Sequence, residues 1–186
     1  MGLLSPAKGI EYGLREVKML MKEYPDLTCI VVGETHPSLK AEEGEAYRRS
    51  LEALIARLGL EHNVMFIDKF VSEDELAALP NLADVYIAPY RGRDQVSSGT
   101  LTRALASGNA IVATPTPFAK ETLIPGRGLL CEFDSARSIA HQTRRILSSP
   151  WLRERLESRA RQYAFRIGWQ QAAEKYAKIL TKALKV

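Results

Sequence analysis

"DVYIAPY", residues 84–90, followed after a four-residue gap by "QVSSGTLTRALASG", residues 95–108, decides the fold of this chain. The first run is apolar and of strand length. The second opens polar, with two serines and a glycine, and turns into a small-residue helix pattern carrying leucines. Strand, glycine-containing turn and helix start form the repeating unit of a parallel α/β sheet.

The same alternation extends in both directions. Upstream, "IEYGLREVKMLMK" places Ile10, Leu14, Val17, Leu20 and Met21 on one helical face. Strand "CIVVGE" follows at 29–34. A helix over 45–59 carries Tyr47, Leu51, Leu54, Ile55 and Leu58 on one face and stops at Gly59. "VMFIDKF" at 64–70 reads as a strand, and Ser72 opens a capping box with Glu75. Downstream come "AIVATP" at 110–115, a short helix near 118–124, "GLLCEF" at 128–133 and helices near 135–148, 150–164 and 169–184. Continuous apolar strands separated by helices predict an α/β fold, a doubly wound Rossmann-like parallel sheet with helices on both faces. All 186 residues form one domain. Its first strand, "GLL" before the "SPAKG" turn, is short or truncated, so the chain reads as the second half of something larger.

Composition narrows the function. At 46% hydrophobic and 26% charged residues the chain buries a core. No apolar run approaches the roughly 20 residues that span a bilayer, and the N-terminus lacks a signal-peptide pattern. Cys29 and Cys131 sit in apolar runs and read as buried free thiols, and the expected location is cytoplasmic. The net charge of +4 hides an asymmetry: residues 135–186 hold 12 Lys+Arg against 3 Asp+Glu, a balance of +9 against −5 elsewhere. The basic residues are scattered round the last helices, as on solvated faces, so no nucleic-acid partner is expected. Peripheral membrane contact through this basic region and a homodimer are carried as partner expectations.

In a doubly wound sheet of order 3-2-1-4-5-6, ligands bind beyond the carboxyl ends of the strands where the order reverses. That crevice joins the loop "SPAKG", with Lys8, to the loop "RGRDQVSSGT", with Ser98, Gly99 and Thr100. A helix N-terminus offers unpaired N–H groups to phosphate, Gly99 lets backbone approach, and Lys8 adds a point charge. Singly, Ser98 is a helix cap and Lys8 a loop lysine; at one crevice they favour phosphate binding. Neither G-x-G-x-x-G after the first strand nor a Walker A pattern occurs. No His/Cys/Asp/Glu cluster has zinc-ligand spacing. His36 reads as part of a turn at a helix start, and His62 and His141 as helix-end and helix positions.

"GLLSPAKGIEYGLREV", "YPDLTCIVVGETHP", "LGLEHNVMFIDKFVSEDEL", "LADVYIAPY", "SSGTLTRALASGNAIVATPTPFAKE" and "GRGLLCEFD" occur in order over nearly the whole chain. Together they resemble the C-terminal, donor-binding domain of a group 1, family-4 retaining glycosyltransferase, one half of a GT-B architecture. The resemblance implies sugar transfer from a nucleotide-diphosphate donor with retention, the donor being a substrate, with no cofactor and no required metal. It places Lys8, Ser98, Gly99 and Thr100 at the donor phosphates, Lys69 and Phe70 near the nucleobase, and Glu121 near the donor sugar or ribose. The family's two-glutamate positions are Gln95 and Arg103 here, which leaves the ribose contact open. No catalytic residue is identifiable. The implied N-terminal acceptor domain lies outside this sequence, so the chain alone is expected to bind nucleotide diphosphate weakly and transfer no sugar. Trp169 and Tyr176 are either core residues or more exposed than their chemistry suits. Two rival readings stay open: half of a non-hydrolysing nucleotide-sugar epimerase, and a non-catalytic nucleotide- or partner-binding module.

Overall fold

The computed structural model describes residues 1–124 and 126–184. Helix α1 (Ile10–Leu20) leads into β1 (Cys29–Val32), α2 (Pro37–Glu43), α3 (Ala46–Leu58), β2 (Val64–Ile67) and α4 (Glu73–Ala78). Then come β3 (Val85–Ala88), α5 (Gly99–Ser107), β4 (Ala110–Ala113), α6 (Pro117–Leu123), β5 (Leu129–Leu130), α7 (Ala136–Leu147), α8 (Pro150–Ile167) and α9 (Trp169–Ala183). The α/β class and the parallel direction of every strand pair agree with the sequence. Helix α2 begins at the helix start read at His36, whose Nδ1 caps it, accepting from the Ser38 N–H at 3.3 Å. Ser72 and Glu75 form the expected capping box of α4, and Gly59 closes α3 in the left-handed conformation.

The sheet departs from expectation. Instead of one sheet in the order 3-2-1-4-5-6, the described residues form two: β1 with β2, and β3-β4-β5. The division falls where the first strand belongs. There "GLL" contributes a single parallel bridge, Leu4 to Thr35. Three residues cannot build a ladder, and Gly2 at φ +100° leaves the extended region.

Strand β4 lies at the centre of the larger sheet, and all four of its residues are buried. That explains its unbroken apolar run, because a parallel strand covered on both faces has no polar side. Leu101, Ala104 and Leu105 of α5 share one core cluster with Ala160 of α8. Ile139 and Ile146 of α7 and Leu156 of α8 form another with Val112. Over the smaller sheet, Leu14 and Val17 of α1 pack against Leu51, Leu54 and Ile55 of α3. Arg48 of α3 is buried and fastens this half, donating to the Gly33 carbonyl and pairing with Asp68, each at 2.7 Å, over the Phe66 ring.

Cys29 and Cys131 are free thiols. Burial, followed by the charge of Glu16, pushes each up to about 12, so both stay protonated at neutral pH. Trp169 is 93% exposed, with Tyr176, Ile179 and Leu180 also open on α9, so these aromatics are not core. No helix among the described residues is long and apolar enough to cross a membrane.

Candidate functional site

Three close approaches gather the loops at the carboxyl ends of the central strands. The 3-10 turn Pro6–Lys8 ends at Gly9, whose φ of +64° is left-handed. A Cβ there would stand 2.0 Å from the Pro89 carbonyl oxygen, so only glycine lets this turn rest on the chain leaving β3. The Arg91 N–H donates to the Ala7 carbonyl at 2.9 Å. A Cβ on Gly2 would lie 3.1 Å from Cγ2 of Thr100. The Lys8 turn is thereby held against the loop that opens α5.

Tyr90 links the two sides. Its ring is buried at the end of the β3 segment, and its hydroxyl hydrogen-bonds Ser98 Oγ at 2.9 Å and Thr100 Oγ1 at 2.7 Å. Ser98 Oγ also accepts from the Leu101 N–H at 3.2 Å, capping α5. The Lys8 ammonium lies 4.8 Å from the centre of the Tyr90 ring, a cation–π contact. One tyrosine therefore fixes a helix cap through its hydroxyl and a lysine through its face.

The arrangement suits an anion. The amides of Gly99 and Thr100, in the first turn of α5, have no intrahelical acceptor and share the positive end of the helix dipole. Gly99 is exposed, and a Cβ added to it would meet nothing within 4 Å, so the backbone there is open to approach. Charge balance points the same way. Arg91 pairs with Asp134 at 3.0 Å and Glu11 at 3.5 Å, and Arg93 reaches Asp134 at 3.7 Å. Lys8 has no carboxylate partner among the described residues.

The other expected site residues take separate places. Gln95 folds back on its own loop, its amide donating to the Ser97 carbonyl at 2.9 Å. Arg103 is drawn to Glu73 of α4, and Lys69 to Glu75. Phe70 is 70% exposed on the loop after β2. Glu121 is exposed on α6, where its carbonyl accepts from Arg127 at 2.9 Å. His62 and His141 are solvent-facing. Among the described residues no group of His, Cys, Asp and Glu could hold a metal ion. Sequence reasoning missed Tyr90, Gly2 and Gly9. Tyr90 had a signal, since it is the polar-tipped residue that ends an apolar strand next to the predicted crevice.

A cleft of ≈ 510 Å³ runs between the two sheets, with Lys8 and Tyr90 at one end of it. Ile30, Val32, Val85 and Ile87 of the strands line it beside Leu14 and Val17 of α1, and no residue of 91–108 does, so it is distinct from the open ground over the N-terminus of α5.

Known proteins resemble this chain over most of its length. The sequence model of the glycosyl transferases group 1 matches residues 1–163. The D-inositol 3-phosphate glycosyltransferase of Streptomyces avermitilis is 28% identical over 191 residues, covering 99% of this chain and 39% of that protein. The chain thus spans about two fifths of such relatives. Among solved structures, the C-terminal domain of a group 1 family glycosyl transferase, LpcC, from Francisella tularensis superposes with a TM-score of 0.76 at 21% identity. That match covers 90% of this chain and 83% of that one. Alr3699/HepE from Anabaena, solved with UDP and with UDP-glucose, gives a TM-score of 0.83 at 22% identity, covering 97% of this chain and 48% of that one.

Proposed function

The chain belongs to the glycosyl transferases group 1, and on that premise we propose that it is the donor-binding domain of an enzyme transferring a sugar from a nucleotide-diphosphate sugar to an acceptor with retention. The observation that carries this reading is Lys8, free of any carboxylate among the described residues and stacked on the tyrosine that positions the α5 N-terminus. In the proposed complex the diphosphate oxygens accept from the Gly99 and Thr100 amides, with the Lys8 ammonium beside them. As the bond from the sugar to the diphosphate breaks, negative charge grows on the leaving oxygen. Donors and a cation fixed before the reaction stabilise that charge without reorganising. Acceptor recognition is assigned to polypeptide outside this chain, and the chain alone is expected to turn over no donor.

The uridine nucleotides bound to Alr3699/HepE make UDP the first nucleotide to test. Calorimetric titration of the chain with UDP, GDP and ADP is expected to show one preferred nucleotide. Lys8→Ala should weaken it by about 10- to 100-fold, the size of a charge-assisted contact of roughly 1.5–3 kcal/mol. Gly99→Val should weaken it comparably while leaving thermal stability unchanged, because its Cβ has open space. Affinity unchanged in both variants would overturn the assignment.

A further inference from the structure

We propose that Arg48 is a positioning residue of the donor site: buried behind the loop that follows β1, it holds the Gly33 carbonyl and, through Gly33 and Gly2, sets Thr100 in the first turn of α5. This role, which rests on the donor-site reading above, explains why a charge stands on the core-facing stripe of α3. Arg48 precedes Leu51 and Ile55 by three and seven positions, shares their buried face, and is itself 4% exposed. A guanidinium there is costly to desolvate, and exchanging a buried ion pair for apolar residues is often neutral or stabilising. One of its donors, Nη1, is buried with no partner among the described residues. Stability alone does not account for a buried arginine with an unmet donor.

What the guanidinium reaches does account for it. Gly33 carries the β1–β2 ladder one step past β1, its N–H donating to the Ile67 carbonyl at 3.0 Å. A regular parallel ladder would next carry the Gly33 carbonyl to the Lys69 N–H. Instead Gly33 takes φ +141° and its carbonyl accepts from Arg48 Nη2 at 2.7 Å. The same guanidinium meets Asp68, on the loop after β2, at 2.7 Å and Glu45 at 3.3 Å, and Glu45 also accepts from the Thr35 hydroxyl. One planar fork thus ties the loop after β1 to the loop after β2, which the point charge of a lysine does not reproduce. From Gly33 the contacts run on toward the anion site. A Cβ on Gly33 would stand 2.0 Å from the Gly2 carbonyl oxygen, so the two backbones touch. Gly2 in turn lies against Cγ2 of Thr100, whose hydroxyl Tyr90 holds at 2.7 Å. Arg48, Gly33, Gly2 and Thr100 form one continuous line of contact from the buried face of α3 to the amides assigned to the diphosphate.

Arg48→Lys keeps the charge and removes the fork; Leu54→Ala, a core truncation on the same helix, is the comparison for lost stability. Calorimetric titration with UDP and with inorganic pyrophosphate should show both ligands weakened by about tenfold or more in Arg48→Lys, because affinity is steeply sensitive to a small misplacement of the binding groups. Both affinities should be unchanged in Leu54→Ala. In ligand-free spectra the Gly2, Gly33 and Thr100 amides should shift in Arg48→Lys and hold still in Leu54→Ala. Parent-like affinity for both ligands in folded Arg48→Lys would overturn the proposal, and so would equal losses in the two variants. Should Arg48→Lys not fold, the parent chain supplies the test, because coupling between two sites is reciprocal. Saturating pyrophosphate, which has no ring to shift distant resonances, should move the Gly33 amide and the Arg48 Nε–H. Fixed positions for both, while Gly99 and Thr100 respond, would overturn the proposal and leave the donor-site reading standing. No response at Gly99 and Thr100 to either UDP or pyrophosphate in the parent would overturn that reading, and the proposal with it.

Discussion

Glu16 on α1 is 3% exposed and lines the cleft between the sheets. Burial pushes its carboxyl from 4.5 up to about 7, with the nearby Thr143 hydroxyl opposing the shift. Between those values the folded chain holds a proton on Glu16 that the unfolded chain has released. Stability therefore falls as pH rises through this window, and the full penalty is present above about pH 7. Raising the carboxyl from 4.5 to about 7 corresponds to roughly 3 kcal/mol, at about 1.36 kcal/mol for each tenfold change in proton affinity. Glu16→Gln replaces the buried carboxyl with a neutral group of the same shape. At pH 8 the variant should be more stable than the parent by roughly 3 kcal/mol. At pH 5, where the folded parent is itself neutral at this position, the gain should shrink to about 1 kcal/mol or less.

Thermal unfolding of both proteins at pH 5 and pH 8 reads this directly. For a chain of this size 1 kcal/mol moves the midpoint by about 2–4 °C, so the variant should gain about 6–12 °C at pH 8. Comparing variant with parent at each pH is essential. Burial also lowers the Met1 amino group, whose titration works in the opposite sense and removes stability on the acid side. That contribution is common to both proteins and cancels. Cys29 and Cys131, at about 12, do not titrate in this range. An equal gain at pH 5 and pH 8 would refute the reasoning, because it would mean that Glu16 is not held protonated by the fold.

Two further substitutions probe the site. Tyr90→Phe removes the hydroxyl shared by Ser98 and Thr100 but keeps the ring under Lys8; it should cost about 1–2 kcal/mol, measured by denaturant unfolding, and weaken nucleotide binding less than Lys8→Ala does. Gly9→Ala forces a left-handed alanine against the Pro89 carbonyl, so it should destabilise by about 2 kcal/mol or more and lower nucleotide affinity with it, read by unfolding and titration of the same sample.

How far the sequence could carry these conclusions depended on what kind of interaction fixes each feature. Helices and buried strands declare themselves locally: Leu14, Val17 and Leu20 repeat at helical spacing, and "AIVA" at 110–113 is apolar throughout because both its faces are covered. The meeting of Lys8 with Ser98 and Thr100 was also legible, because a doubly wound topology fixes which loops share a crevice. The means of their meeting was not. It rests on a left-handed Gly9 against a carbonyl 80 positions away and on the direction of one tyrosine hydroxyl, and neither leaves a local periodic signal. Arg103 and Lys69 show the same limit in reverse. Each looks like a spare cation in sequence, yet Glu73 and Glu75 neutralise them once the chain is folded. Lys8 differs only in what surrounds it: the nearby arginines have taken Asp134 and Glu11, and the ring beneath it offers an attraction that a phosphate can add to rather than compete with. Among the described residues at this crevice, what separates Lys8 from Arg91 and Arg93 is therefore the absence of a carboxylate partner, and that is settled by tertiary pairing.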